Sequence, residues 1–364
     1  MKTKEDRPLV SITMPCYNHE AYVANAIESI LNQTYPNLEL IVLDNGSTDG
    51  SYEVIQRYSD KIKILRFEDN NPYKAGVILR QECNGKYIAG ATSDDIWAPD
   101  KIEKQVEVLE NNNNIRVCFT WAEFVDEQGD KIDGMKNLFL QTNKTRFEWI
   151  EHLIINGNCL ACPSMLADRE YYEMIADEIP SLWQLPDLYM WIKILMKDDI
   201  YVINEVLMNF LWHPHGDNAN MSTPNIVTEI RTYNETVYII QKVIAEMEDA
   251  VFLQSFYRYL KKEEISSHMD VLCEKFFLLK EMGEYNQGLQ QAAINFFFDA
   301  TEKGNGMLDY LEREYSYSFS DFRDYSGQKG WGAFSHDYNV MLNKMEDINK
   351  LSAKIEEMMK TYIV

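Results

Sequence analysis

Residues 10–51, VSITMPCYNHEAYVANAIESILNQTYPNLELIVLDNGSTDGS, set two short apolar runs on either side of one amphipathic stretch. Val10–Met14 and Leu38–Leu43 have the length and continuity of buried strands, and Ala21–Gln33 puts Val23, Ile27, Ile30 and Leu31 on one helical face. Each run ends in turn-forming residues, PCYN at 15–18 and DNGSTDGS at 44–51. This predicts a strand–helix–strand unit whose two polar turns leave the same edge of a parallel sheet, where such sheets bind ligands. Pro15 and Tyr17 can wall an aromatic slot for a base, and Asp44 and Asn45 can contact that base or its ribose.

Outward from this unit the alternation repeats. Tyr52–Tyr58 reads as helix, Ile62–Phe67 as strand, and Lys86–Ala91 as a strand running into ATSDDIWAPD at 91–100. Pro99 is placed to start a helix carrying Ile102, Val106 and Leu109, and Ile115–Trp121 is a further strand. The pattern loosens from about Glu123 through Lys144. It then recovers as helices Phe147–Ile155, Arg169–Ala176 and Asp187–Met196 and strand Ile200–Leu207. Continuous apolar strands separated by helices predict an α/β fold with a mostly parallel sheet covered on both faces. From about Ile226 strand signals fade and Glu- and Lys-rich helical runs take over.

The turns PCYN and DNGSTD, with QTYPN at 33–37 between them, match in order and spacing the P-x-Y-N, D-D-G-S-T-D and Q-T-Y-x-N wording of family-2 glycosyltransferases. The chain resembles that family from Leu9 to Ser222, about 60% of its length. The resemblance implies a GT-A, Rossmann-like sheet and inverting transfer of a sugar from a nucleotide-diphosphate donor to an acceptor hydroxyl. It predicts a catalytic domain at 1–222, with a nucleotide-sugar half at about 1–122 and an acceptor half at about 123–222, followed by a helical domain at 223–364. Pro15, Tyr17, Asn18, Asp44 and Asn45 are the expected donor contacts. Asn45 stands where many relatives carry a second Asp. Its amide oxygen still accepts a hydrogen bond, so UDP leads while dTDP and GDP stay open.

In SDDIW, at 93–97, two adjacent carboxylates would repel one another at a sheet edge without a cation. Hard oxygen ligands beside a diphosphate suit Mn2+ or Mg2+. The resemblance implies that Asp95 ligates the metal and Asp94 binds donor ribose or sugar; an isolated turn of this kind would more often cap a helix. In LPDLYMWIKIL, at 185–195, it points to Asp187 as the general base, with a helix cap as the alternative. FLWHPHGDNANMS, at 210–222, resembles a closing Y-R-x-H-x-x-N-x-S motif, in which either His213 or His215 completes the metal shell or meets the diphosphate; Leu211 replaces the usual Arg. Lys74 and Arg80 occupy a stretch where relatives carry donor-contacting residues, and either can instead face solvent. Trp121, Glu123, Trp183 and Trp191 fall in regions expected to approach the acceptor, although a Trp is more often core.

Two other functions fit an α/β chain. A sugar nucleotidyltransferase would carry a Gly-rich phosphate loop and a basic residue after the first strand, and PCYNHE has neither. A non-catalytic partner subunit would have lost its carboxylates, whereas Asp94, Asp95 and Asp187 are present.

The chain has 364 residues, with 35 Lys+Arg against 58 Asp+Glu and a net charge of −23, which opposes binding to nucleic-acid phosphates. MKTKEDRPLV has no apolar signal core, and no stretch approaches the roughly 20 apolar residues of a membrane span. The expectation is a cytoplasmic enzyme, able to work peripherally at a membrane, acting on a glycan, glycoprotein or lipid-linked acceptor. Six scattered cysteines, including the C-x-x-C of Cys159 and Cys162, read as buried thiols. Met341, Met345, Ile348, Ile355, Met359 and Tyr362 alternate at four and three spacing, with Ser352 as a gap. That seam suits a helix docked on its own domain or a short homo-oligomeric coiled coil.

Overall fold

The computed structural model describes residues 7–134, 136–213, 225–302, 304 and 306–328. His215 and the 341–362 seam lie outside them. In order the elements are β1 Val10–Cys16, α1 Val23–Leu31, β2 Leu38–Asn45, α2 Ser51–Gln56, β3 Lys63–Phe67, α3 Pro72–Gln81, β4 Tyr87–Gly90 and β5 Ile96–Trp97. Then come α4 Lys101–Asn111, β6 Ile115–Val125, α5 Arg146–Asn156, β7 Leu166–Asp168, α6 Arg169–Ala176, α7 Pro186–Leu195 and β8 Asp199–Leu211. Helices complete the described chain: α8 Ile226–Glu246, α9 Asp249–Phe256, α10 His268–Met282, α11 Gln287–Glu302, α12 Met307–Tyr315 and α13 Phe319–Gln328.

The eight strands form one sheet in the order β3-β2-β1-β4-β7-β6-β8-β5. β1 pairs in parallel with β2 and β4, β2 with β3, and β6 with β8. The three-residue β7 runs antiparallel to β4 and β6 and joins the two parallel groups, while β5 runs antiparallel to β8. The sheet is therefore mixed, and the reversal comes from short strands whose sequences carry little periodic signal. β6 and β8 extend four residues past their expected ends, carrying Glu123 and Phe210 onto the sheet. α3, which periodicity alone does not announce, starts with Asn71 accepting the Lys74 N–H at 3.0 Å and with Pro72 in its first turn.

The alternating residues Val10, Ile12 and Met14 of β1 are fully buried, and α1 covers them with Val23, Ala26, Ile27 and Ile30. Because Cys16 lies opposite Asp44 in the register, β1 and β2 end side by side and deliver both turns to one edge. A buried ammonium lies beside this core: Lys101, at 0% exposure, donates to Gln105 Oε1 at 3.0 Å and sits 3.7 Å from the centroid of the Trp97 ring. Burial lowers its ammonium to about 7. Cys159 and Cys162 are free, and burial pushes both thiols up to about 12.

The chain divides into two compact units. One runs to Ile239 and includes Glu246–Tyr257; the other comprises Ile240–Ala245 and the chain from Arg258 onward. In the second unit Ser267 and Asp270 form a capping box at the start of α10, and Asp270 also accepts Lys262 Nζ at 2.7 Å and Tyr310 OH at 2.9 Å. Phe297 stacks on Phe322 with centroids 3.6 Å apart. Among the described residues no helix is long and apolar enough to cross a membrane.

Candidate functional site

The two turns after β1 and β2 are tied to each other before any ligand is considered. Asn18 adopts a left-handed backbone, φ 53°, a conformation that Asn tolerates better than most residues. Its Oδ1 accepts the Thr48 N–H at 2.8 Å, and its own N–H donates to Ser47 Oγ at 3.0 Å. The His19 N–H donates to Ser51 Oγ at 2.8 Å. Pro15 and Tyr17 stay exposed on this rim. Asp44 is fully buried; it forms an ion pair with Arg66 Nε at 3.3 Å, and neither carboxylate oxygen has a hydrogen bond. Arg66 in turn lies 3.8 Å from the centroid of the Tyr52 ring.

Asn45 has a structural task that an Asp could not perform in the same way. Its Oδ1 accepts the Asn71 N–H at 2.9 Å and its Nδ2 donates to Asn70 Oδ1 at 2.7 Å, clamping the loop before α3 onto the end of β2. Gly46, at φ +79°, lets that loop approach: a Cβ there would lie 2.7 Å from the Asp69 carbonyl carbon. Lys74 is exposed in the first turn of α3, 5.0 Å from the Phe67 centroid. Arg80, at the other end of the helix, pairs with Asp177 at 3.3 Å.

The Ser93–Asp95 turn meets this edge. Asp95 is 3% exposed; Oδ1 accepts the Leu211 N–H at 2.9 Å and Oδ2 accepts the Thr92 hydroxyl, so the carboxylate fastens the turn to the end of β8. Burial first, and Asp94 second, push its carboxyl up to about 8. Asp94 Oδ2 lies 3.6 Å from His213 Nε2, and His213 Nδ1 lies 4.0 Å from Glu127 Oε1. A residue that the motifs do not single out joins them: His19 Nδ1 is 2.8 Å from Ser93 Oγ, and its ring centroid is 6.3 Å from that of His213. Tyr22 packs against both rings, 5.9 Å from His19 and 5.0 Å from His213. Burial lowers the His19 imidazole against the pull of Asp94. No local pattern could have exposed His19, since its partner is 74 residues away.

Among the described residues no three His, Cys, Asp or Glu side chains converge as a ready-made metal cage. The donor set still fits a divalent cation that takes its remaining ligands from phosphate. Asp94 and His213 face each other, Asp95 is next to Asp94 in the chain, and a dication would relieve the part of the rise at Asp95 that comes from Asp94, which is second to burial.

Asp187 lies in the first turn of α7. Its Oδ1 accepts the Leu188 N–H at 2.8 Å and its Oδ2 accepts Asn158 Nδ2 at 2.6 Å. Burial pushes its carboxyl up to about 6, opposed by those hydrogen bonds and aided slightly by Glu235. Trp183, in the preceding loop, is 45% exposed. Trp191 is fully buried, edge-on to Phe119 at 4.8 Å, and so offers no face to an acceptor. Trp121 is half-buried and donates to the Gln141 carbonyl at 2.7 Å; Glu123 binds Lys131 Nζ at 2.6 Å and Asn137 Nδ2 at 3.1 Å.

This geometry agrees with what the chain is similar to. The model of glycosyl transferase family 2 matches residues 11–168. An uncharacterized glycosyltransferase of Methanocaldococcus jannaschii is 33% identical over 221 residues, covering 58% of this chain and 73% of that protein. The chain belongs to glycosyl transferase family 2 and is a glycosyltransferase enzyme. Another uncharacterized glycosyltransferase, from Rickettsia felis, is 28% identical over 263 residues; the match takes in 70% of this chain but only 43% of that longer protein. Among solved structures, S. aureus TarS 1-349 in complex with UDP-GlcNAc superposes with a TM-score of 0.54 at 15% identity, over 85% of this chain and 92% of that one. The fold is accordingly GT-A-like.

Proposed function

We propose that this glycosyltransferase moves a sugar from a UDP-sugar to a hydroxyl of a glycan, glycoprotein or lipid-linked glycan, with inversion at the anomeric carbon and with Mn2+ or Mg2+ at the diphosphate. The observation that carries the reaction type is Asp187, a carboxylate held at the start of α7 by Asn158 and the Leu188 N–H, with its carboxyl raised to about 6. Such a group is largely ionised at neutral pH yet basic enough to take a proton. Its oxygens accept the Asn158 amide and backbone N–H groups, and the half-buried carboxylate has further lone pairs to offer the acceptor hydroxyl. The acceptor oxygen bonds to the anomeric carbon on the face opposite the diphosphate, the bond from that carbon to the phosphate oxygen breaks, and the hydroxyl proton passes to Asp187.

On the donor side, the exposed Tyr17 ring and the buried Asp44, an acceptor with no hydrogen bond of its own, suit a base and its ribose. The UDP-GlcNAc bound by the fold neighbour TarS supports UDP as the nucleotide. Asp94, Asp95 and His213 would hold the cation, which when bound neutralises the departing diphosphate. His19 braces the turn bearing both carboxylates through Ser93.

The test is release of UDP from a panel of nucleotide sugars, with Mn2+ or with a chelator. Turnover of a UDP-sugar that needs the metal and falls at least about 100-fold in Asp95→Ala is the expected result. Full turnover in chelator, or in that variant, overturns the metal assignment. Turnover confined to GDP- or dTDP-sugars overturns the choice of nucleotide.

A further inference from the structure

Helix α8 lies beyond residues 11–168, which the family model matches, yet it grips the loop that leads into α7. The Glu235 carboxylate accepts three consecutive backbone N–H groups: Trp183 at 2.8 Å, Gln184 at 2.8 Å and Leu185 at 2.7 Å. One helical turn earlier, the Arg231 guanidinium lies 5.8 Å from the centroid of the Trp183 ring. Leu185 is the residue that caps α7, and Asp187 follows two positions later.

Three adjacent N–H groups aimed at one carboxylate form an anion nest, and each bond is strengthened by the charge. The anion also sits at the start of α7, where the helix dipole favours it. The backbone of Trp183 is thus fixed while the residue stays 45% exposed. Holding a large aromatic ring rigidly in water gains nothing for the fold, since Trp149 and Trp191 already fill the core at 0% exposure. A flat ring four residues before Asp187 is a surface on which the C–H face of a sugar stacks.

We infer that Glu235 and Arg231 are positioning residues that fix Trp183 as the stacking platform for the sugar of the acceptor, an inference that rests on the role given to Asp187. The arrangement makes α8 part of the acceptor rim, so acceptor selectivity extends past the segment that the family motifs define.

The test measures binding of methyl β-glycosides of glucose, galactose and N-acetylglucosamine by saturation-transfer NMR, with UDP present. At least one should bind the wild type, and Trp183→Ala should weaken it about five- to tenfold with UDP affinity kept. Trp183→Phe should restore it. Glu235→Ala should weaken the same glycoside, Glu235→Asp should recover part of the loss, and Glu235→Ala combined with Trp183→Ala should be no worse than Trp183→Ala alone. Unchanged glycoside binding in Trp183→Ala overturns the platform, as does a wild type that hydrolyses a UDP-sugar but binds none of the glycosides. Fully multiplicative losses in the double variant overturn the positioning role. Should Glu235→Ala unfold, Trp183→Ala, on an exposed ring, decides the platform alone. A wild type that hydrolyses no nucleotide sugar strikes separately at the donor assignment, while glycoside binding lost in Trp183→Ala still supports the platform.

Discussion

The proposed donor edge and the proposed acceptor rim are built by different means. On this donor edge, bonds among the first hundred residues lace three turns and the loop before α3 together: Asn18 to Thr48, His19 to Ser51 and Ser93, Asn45 to Asn70 and Asn71. On the acceptor rim, Asp187 is held by Asn158 from the loop after α5, and the loop before it by Glu235 from α8. The first assembly is compact in sequence and reads as motifs. The second draws on separate elements that could change without disturbing the proposed nucleotide site, as when one fold serves many ligands.

The sharpest way to break this contrast is Asp187→Asn. It should lower kcat about 100- to 10,000-fold while leaving UDP affinity intact; an equal loss of UDP affinity would join the two regions into one. The same carboxylate sets a pH profile. In the proposed mechanism its ionised form is the base, so kcat/KM should rise with pH through about 6, and a flat response from pH 5 to 7 would remove Asp187 from the chemistry. A donor-edge change should act in the opposite sense. Asn18→Gly keeps the left-handed backbone but loses the bond to Thr48, and should raise donor KM about tenfold with little effect on kcat.

A smaller effect is expected beneath the donor edge, where the buried Lys101 follows the Ser93–Asp95 turn. Lys101→Met should raise stability by about 1–3 kcal/mol, read as a higher Tm, because it removes a buried charge that has no ionic partner in the described structure. The sign of the pH effect follows from its lowered ammonium. Between about 7 and the ordinary 10.5 the unfolded chain binds more protons than the native one, so wild-type stability should rise with pH across that window. The variant should lack that rise. The smallest change should come from Asn45→Asp. Oδ1 still accepts the Asn71 N–H, and Asn70 can turn its amide to donate, so UDP affinity should shift by no more than about threefold.

The parts legible in the sequence were those whose signal is local. Residues 10–51 announced β1, α1, β2 and the two turns because period and turn chemistry are written in consecutive residues. The antiparallel β7 was not legible, since three residues carry no period and its partners, β4 and β6, lie far off in sequence. α3 carried a readable start in Asn71 and Pro72, but mid-helix Gly76 and a low apolar content blurred its body. For the site, SDDIW and LPDLYMW could be marked because carboxylates at strand and helix ends are conspicuous. The contacts of His19 with Ser93 and of Glu235 with Trp183, Gln184 and Leu185 were hidden, as each spans 50 or more residues and neither residue type is unusual in its own segment.

The central claim, that Asp187 drives single-displacement transfer from a nucleotide-bound sugar, is tested most directly by the anomeric configuration of the product. Proton NMR of the first-formed glycoside from an α-linked UDP-sugar should show only the β anomer. A product that retains the α configuration would contradict the account.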